Sequence, residues 1–145
     1  MSDQDRARTT PPPQVWPTLR ARDARGLIRF LVEAFGFEET VVYASSADPD
    51  RVEHAELAWP PGGGVMLGSA PAAPAEGDAR ASRPGTVGAY VVTDEPDALY
   101  ARAVAAGGVV RRPLQDTDYG SREFAIVDPE GNVWSFGTYR GEPRA

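Results

Sequence analysis

Two neighbouring side chains, His54 and Glu56, carry the clearest candidate chemistry in this sequence. His54 is the single histidine of the chain, and imidazole is the side chain whose unperturbed pKa lies closest to neutrality. Residues two apart on a β-strand share a face, so a strand over 52–59 places the two groups side by side. Three interpretations are open: polar contacts to a bound ligand, a structural ion pair, and an acid–base pair for proton transfer.

The composition excludes most other catalytic options. The 145-residue chain has no cysteine, which excludes a disulfide scaffold, a thiolate metal site and a cysteine nucleophile. All 15 cationic side chains are arginine, so a Schiff-base lysine and a phosphate-binding P-loop are excluded as well. A single histidine cannot supply a two-histidine metal site within one chain.

The charge and hydropathy of the chain restrict its partners. Acidic side chains number 21, and the net charge is −6, so a nucleic-acid partner is not expected. Apolar runs are only a few residues long, against the roughly 20 that a membrane-spanning helix needs, and the polar opening segment lacks the apolar core of a signal peptide. These features predict one compact domain or two small fused modules, located in the cytoplasm and without a membrane partner.

Apolar spacing predicts two helices, each starting at an aspartate and ending at a glycine. One runs from Asp23 to Gly36 and the other from Asp94 to Gly107, with the residue types favoured at N-caps and at left-handed C-terminal positions. Short runs rich in valine and aromatic residues predict eight strands, over residues 14–22, 37–44, 52–59, 64–69, 86–93, 109–114, 121–127 and 132–138.

The two halves of the chain repeat, and this is its strongest organisational signal. The aspartates and the glycines of the two helices are each 71 positions apart, and the turn at Pro61 matches the turn at Pro129 with an offset of 68. The repeat predicts an α+β fold of two βαβββ modules in tandem, whose sheets form a concave cleft. One helix covers one face of a sheet, so the second half or a second chain must cover the other. The predicted organisation is a leader (1–13), a first module (14–69), a linker (70–85), a second module (86–140) and a tail (141–145).

Several segments resemble the glyoxalase/bleomycin-resistance/dioxygenase superfamily, also called vicinal oxygen chelate proteins. The most specific is the run YGSREFAIVDPEGNVW over residues 119–134, with its Asp-Pro-x-Gly-Asn turn. Residues 22–37 are similar to the first helix of that family and its exit, and residues 54–68 to its third and fourth strands. The resemblance covers about residues 14–140 and implies the tandem βαβββ fold.

The resemblance also implies where a metal would be bound. Metal-dependent members place ligands on the first and last strand of each module, and the repeat assigns these positions to Trp16, Leu67, Val87 and Ser135. None of these side chains is an imidazole or a carboxylate, and shifting the register by one residue brings in none. The sequence therefore predicts no metal and no cofactor, which places the chain nearest the bleomycin-resistance-like branch, whose members are typically homodimers that hold a drug without modifying it.

The predicted site combines the repeat with this resemblance. An offset of 68 places His54 opposite Arg122 and Glu56 opposite Phe124, which predicts a shared cleft face. Trp16 is interpreted either as an aromatic wall of the cleft or as a core residue packed across the module interface. The full set of predicted ligand-binding residues is Trp16, His54, Glu56, Leu67, Arg122, Phe124 and Ser135.

The predicted function is non-covalent binding of a small molecule by a homodimer. The expected ligand is an aromatic or cationic natural product, such as an antibiotic sequestered in self-resistance. Two alternatives stay open. The first is a lyase, an isomerase or a dioxygenase-like enzyme of the same fold, using His54 and Glu56 or an unrecognised metal site. The second is an interaction module that acts through its dimer surface alone.

Overall fold

A computed structural model describes residues 13–71 and 83–143, which form two βαβββ modules in tandem. Most of the predicted leader (1–13), most of the predicted linker (70–85) and the last two residues of the predicted tail (141–145) lie outside the described residues. The first module consists of β1 (Thr18–Ala21), α1 (Ala24–Phe30), β2 (Glu38–Ala44), β3 (Val52–Ala58) and β4 (Gly64–Ser69). The second consists of β5 (Gly88–Val92), α2 (Pro96–Ala105), β6 (Val109–Asp116), β7 (Arg122–Val127) and β8 (Val133–Gly137).

Each module contains one four-stranded mixed sheet, which we call the first and the second sheet. The strand orders are β1-β4-β3-β2 and β5-β8-β7-β6. The first strand of each module pairs in parallel with the last, because the helix crosses over between them, and the other pairs are antiparallel. The predicted α+β fold of tandem βαβββ modules is therefore confirmed.

The first helix starts and ends where its sequence predicts. The carboxylate of Asp23 accepts a hydrogen bond of 3.0 Å from the backbone N–H of Gly26, which satisfies one of the donors left free at a helix start. After α1 a single π-helical turn (Leu31–Phe35) continues to Gly36, whose φ of 87° is a left-handed conformation.

The second helix begins one residue later than predicted. Its N-cap is Glu95, and the carboxylate of Asp94 pairs instead with the guanidinium of Arg140. The backbone N–H of Glu95 donates to the hydroxyl of Thr93. Consequently the first helix holds one residue more than the second between its N-cap and its closing glycine, and the π-helical turn accommodates that extra residue.

The helix-bearing faces of both sheets meet in one continuous core. Phe35, which is 1% exposed, lies at its centre and contacts Trp134 and Phe136 of β8, with ring centroids 5.6 and 4.7 Å away. At the surface the guanidinium of Arg102 on α2 donates hydrogen bonds to the carbonyls of Val32 and Glu33. The modules are therefore packed back to back, and the opposite face of each sheet, here called its outer face, lies on the outside of the molecule.

The described helices are short. Within residues 13–71 and 83–143, no helix has the combination of length and apolar character that crossing a bilayer requires.

We predict that Phe35→Ala lowers the free energy of unfolding by about 3–5 kcal/mol, because it leaves a cavity where the two modules meet. Urea denaturation followed by tryptophan fluorescence measures this loss. Val104→Ala on the exposed side of α2 is the matched control and is expected to change stability by less than about 0.5 kcal/mol. A loss for Phe35→Ala no larger than that of the control would contradict the shared core.

Candidate functional site

The two hairpin turns define which residues reach each outer face. In the first turn the N–H of Gly62 donates to the carbonyl of Trp59, and in the second the N–H of Gly131 donates to the carbonyl of Asp128. These equivalent bonds relate the turns by 69 positions, so Pro60 and not Pro61 corresponds to Pro129. The offset of 68 expected from the sequence therefore matched the wrong one of two adjacent prolines with Pro129. A slip of one residue exchanges the two faces of a strand.

With the offset corrected to 69, three of the seven predicted residues lie on the opposite face from the one expected. Leu67 and Phe124 are 3% and 0% exposed and lie in the core under the helices. Arg122 points to the same helix side of the second sheet, where its guanidinium pairs with Asp97 on α2 at 2.7 Å and with Asp116 at 3.1 Å. In the corrected register the counterpart of His54 is Glu123 and that of Leu67 is Phe136.

The other four predicted residues lie on outer faces, but on two different sheets. His54 and Glu56 of β3 are joined by a 2.8 Å bond between Nε2 and Oε2, and the ring of Tyr43 is stacked beside His54. Trp16 lies ahead of β1, close enough to Gly64 that a Cβ there would come within 2.7 Å of its ring. Ser135 lies on the second sheet. One chain does not bring these four together, and their role in ligand binding stays a prediction.

The outer face of the second sheet carries an open cleft of about 540 Å³. Tyr90 on β5, Ser135 on β8, Glu123 on β7 and Arg112 on β6 line it, because alternate residues of paired strands share a face. Tyr119 and Tyr139 close its sides from the segments next to β7 and β8.

Glu123 is the distinctive residue of this cleft. It is only 3% exposed, although burying a carboxylate is unfavourable unless donors compensate the lost water. The hydroxyl of Tyr119 donates to its Oε1 at 2.5 Å, and Nη2 of Arg112 approaches the same oxygen at 3.4 Å. Gly137 leaves room for these groups: a Cβ there would meet the Tyr90 hydroxyl at 2.6 Å and the Glu123 carboxylate at 2.8 Å, so both side chains would have to shift.

Three tyrosines line the cleft around Glu123, and each has a raised pKa. The hydrogen bond to Glu123 raises the pKa of Tyr119. Burial, with a contribution from the charge of Glu123, raises the pKa of Tyr90, whose hydroxyl donates to the carbonyl of Tyr139 at 2.7 Å. The hydrogen bond to Glu142 raises the pKa of Tyr139. At neutral pH all three are therefore neutral phenols.

Arg112 completes the polar part of the cleft. Its side chain is partly exposed, yet its Nε is buried and has no hydrogen-bond partner among the described residues. It sits at an irregularity in the β6–β7 pairing, where it lies opposite Ala125, which turns its side chain onto the outer face. The cleft thus contains a partly compensated anion and cation beside aromatic rings.

Sequence reasoning missed Glu123 and Tyr90, although both carried a signal. Glu123 is the acidic residue directly before the apolar run FAIV over residues 124–127, and Tyr90 is the one aromatic residue of β5. A correct choice between Pro60 and Pro61 would have aligned Glu123 with His54 and placed it on the cleft face.

A second cavity, of about 670 Å³, lies between the modules. Phe37, Trp59 and the turn over 60–64 line one side, and the edge of β5 lines the other. The indole N–H of Trp59 donates to the carbonyl of Val92 across it. Its lining also includes four charged residues, all of them exposed: Asp94, Glu95, Arg102 and Arg140. None of these is a buried charge such as Glu123, so the cleft over Glu123 has the stronger polar features.

With the corrected faces, the positions expected to hold a metal are the outer-face residues of the first and last strand of each module. The paired outer-face positions of the first and last strands are Thr18 with Met66 and Tyr90 with Ser135. Hydroxyls and a thioether are poor ligands for the divalent metals that such sites hold. Across residues 13–71 and 83–143, no three histidine, aspartate or glutamate side chains cluster in a way that could hold a metal. These residues do not fit a metal centre.

We predict that Glu123→Gln lowers the pKa of Tyr119 and Tyr90 and leaves that of Tyr139 unchanged, because only the first two interact with the carboxylate. Ultraviolet titration of tyrosinate measures this, with Glu142→Gln as the control that shifts the pKa of Tyr139 alone. Identical titration curves for wild type and Glu123→Gln would contradict the proposed geometry.

The raised pKa values also make the stability of the fold depend on pH. Their stabilising contribution is fully present below the ordinary tyrosine pKa of about 10, and it is lost as the pH rises through the pKa values of the folded state.

Comparison with known proteins places this arrangement in a family. The sequence profile of the Glyoxalase/Bleomycin resistance protein/Dioxygenase superfamily matches residues 14–136. TioX from Micromonospora sp. ML1 is a similar solved structure, 26% identical with a TM-score of 0.71 over 86% of this chain and 97% of TioX. A glyoxalase-related enzyme from Fulvimarina pelagi is also 26% identical, with a TM-score of 0.63 over 86% of each chain.

A glyoxalase/bleomycin resistance protein/dioxygenase family enzyme from Burkholderia phytofirmans PsJN shares the fold, at 20% identity and a TM-score of 0.63 over 84% of this chain and 94% of that enzyme. A search of curated proteins gave no significant match. With the profile matching most of its length, the chain belongs to the Glyoxalase/Bleomycin resistance protein/Dioxygenase superfamily.

Proposed function

We propose that this protein binds a small aromatic natural product, such as an antibiotic, without modifying it. The observation that carries the proposal is the cleft over the second sheet, which three tyrosines and the buried carboxylate of Glu123 line. Tyrosine rings offer flat apolar contact to an aromatic ligand, and a few fixed polar groups provide its orientation. The superfamily to which the chain belongs includes bleomycin resistance proteins, which supports a role in binding an antibiotic.

The chemistry of the cleft favours binding over catalysis. Its tyrosines have raised pKa values, so at neutral pH they are hydrogen-bond donors and not bases. Glu123 is already held by Tyr119 and Arg112. The outer-face positions of the first and last strands, where metal-dependent members of the superfamily hold their metal, carry hydroxyls and a thioether here, which do not fit a divalent metal.

We also propose that the working form is a homodimer with two equivalent clefts. Back-to-back packing leaves both outer faces of one chain uncovered, with Tyr43 on the first sheet 60% exposed and Tyr119 and Tyr90 exposed on the second. A second copy can cover them if the first sheet of one chain faces the second sheet of the other. Each cleft would then combine Trp16, His54 and Glu56 of one chain with Tyr90, Glu123 and Ser135 of its partner.

We predict that the protein runs at twice its 15.5 kDa chain mass in sedimentation or light-scattering measurements. Tyr43→Glu is expected to weaken the dimer, because it places a charge on the face that the second copy covers. Val104→Glu, at an exposed position on α2, is the matched control and leaves the dimer intact. A monomer at all concentrations would contradict this arrangement.

One observation favours the enzymatic alternative, a lyase or isomerase of the same fold. His54 and Glu56 are bonded at 2.8 Å on an outer face and remain partly exposed, as a base and the group that orients it would be. A structural ion pair has the same geometry, so this alternative ranks second.

We predict that the protein binds fluorescent planar aromatic antibiotics, an anthracycline being the first probe, and that Tyr90→Ala weakens binding about tenfold or more through loss of ring contact. Fluorescence titration measures the Kd, and Val104→Ala serves as the control. The probe should be recovered unchanged by mass spectrometry. Conversion of the probe that disappears in His54→Ala would support the enzymatic alternative instead, and a failure of every aromatic probe to bind would contradict the proposed function.

A further inference from the structure

The bond between Tyr119 and Glu123 points to the kind of ligand that the cleft accepts. The carboxylate of Glu123 is almost fully buried, yet within the described residues it has only one short hydrogen bond, the 2.5 Å bond from the Tyr119 hydroxyl. An ionised carboxylate has about four lone-pair sites for donors. Its other polar neighbour, Nη2 of Arg112, lies at 3.4 Å, which is long for a charge-assisted bond.

Tyr90 compensates the carboxylate only weakly. Its hydroxyl lies close to Glu123, and a hydrogen bond with that carboxylate contributes to the raised pKa of Tyr90, but the hydroxyl donates at 2.7 Å to the carbonyl of Tyr139. A phenol has one O–H donor, so the carboxylate shares this proton with a carbonyl that is already well placed to accept it. The hydrogen-bond requirement of Glu123 therefore depends mainly on Tyr119.

Apart from its bond to Glu123, few contacts hold the side chain of Tyr119. Its side chain is 59% exposed, and it stands in the turn between β6 and β7, next to Gly120 in a left-handed conformation with a φ of 83°. Its ring has one aromatic contact, edge-on to Tyr139 at 6.1 Å. The turn below it is closed by bonds between Thr117 and Ser121. The ring can therefore swing away while the turn stays closed.

We propose that Tyr119 is a displaceable latch that occupies the position of the ligand in the free protein. On this interpretation, which rests on the proposed function, the ligand is an aromatic molecule with a neutral phenolic hydroxyl. That hydroxyl replaces the hydroxyl of Tyr119 on Glu123, while the aromatic ring packs against Tyr90 and Tyr139. A cationic group suits this position less well, because the guanidinium of Arg112 lies within 3.4 Å of the same carboxylate oxygen.

A matched pair of probes tests the latch. 2-Naphthol carries the phenolic hydroxyl, and its methyl ether, 2-methoxynaphthalene, has the same rings without the donor. Tyr119→Phe removes the competing hydroxyl and keeps the ring, so 2-naphthol, which must displace that hydroxyl from Glu123, should bind about three- to tenfold more tightly. Wild type should prefer 2-naphthol to the ether, because the ether displaces Tyr119 without replacing its hydrogen bond. Tyr100→Phe, on α2 against the core residue Phe124, is the matched control and changes neither affinity.

Glu123→Gln provides the complementary variant. It weakens the acceptor, so the preference for 2-naphthol over the ether should shrink, and the further substitution Tyr119→Phe should tighten 2-naphthol less than it does in wild type. Calorimetry gives each Kd, and thermal unfolding shows that each variant is folded.

The outcomes separate the latch from the function on which it rests. If both probes bind but Tyr119→Phe does not tighten the binding of 2-naphthol, the latch is wrong and the aromatic-binding function stands. If neither probe binds wild type or any folded variant, the latch fails together with the proposed aromatic cleft.

Discussion

The organisation of this protein follows from one constraint: a chain with two helices can cover only one face of each of its two sheets. Both helices and the π-helical turn lie in the single core between the sheets, where Phe35 contacts Trp134 and Phe136. Every outward-pointing side chain of the paired strands is then left on the outside. Exposed tyrosines, the His54–Glu56 pair and the Glu123 cleft are consequences of this arrangement.

The candidate site uses the outer face of the second sheet in a way that suits recognition. A carboxylate at the bottom of an aromatic cleft is costly to bury, and the protein compensates it with a tyrosine hydroxyl and a distant guanidinium instead of a close ion pair. Such a group can exchange one neutral donor for another without a change in net charge. Within one chain, the residues that line this cleft include one carboxylate and no imidazole.

The two outer faces are not equivalent, although they descend from the same repeat. The first carries a histidine where the second carries Glu123, and its neighbours include Met66 and Trp16 in place of Ser135 and the tyrosines. In the proposed dimer each cleft combines one face of each kind. A ligand would therefore meet a different set of groups on its two sides, which favours one orientation over its reverse.

The sequence by itself determined the α+β fold, the helix start at Asp23, the glycine at its end and the positions of all eight strands, because capping, turn chemistry and strand composition are local properties. It did not determine which side chains share the cleft. Two adjacent prolines made the offset between the two turns ambiguous by one residue. The first helix also contains one residue more than the second, which its π-helical turn accommodates and which the spacing of its apolar residues does not reveal. Only the tertiary structure decided the face of Leu67, Arg122 and Phe124, because the pairing of distant strands fixes the alternation of a sheet.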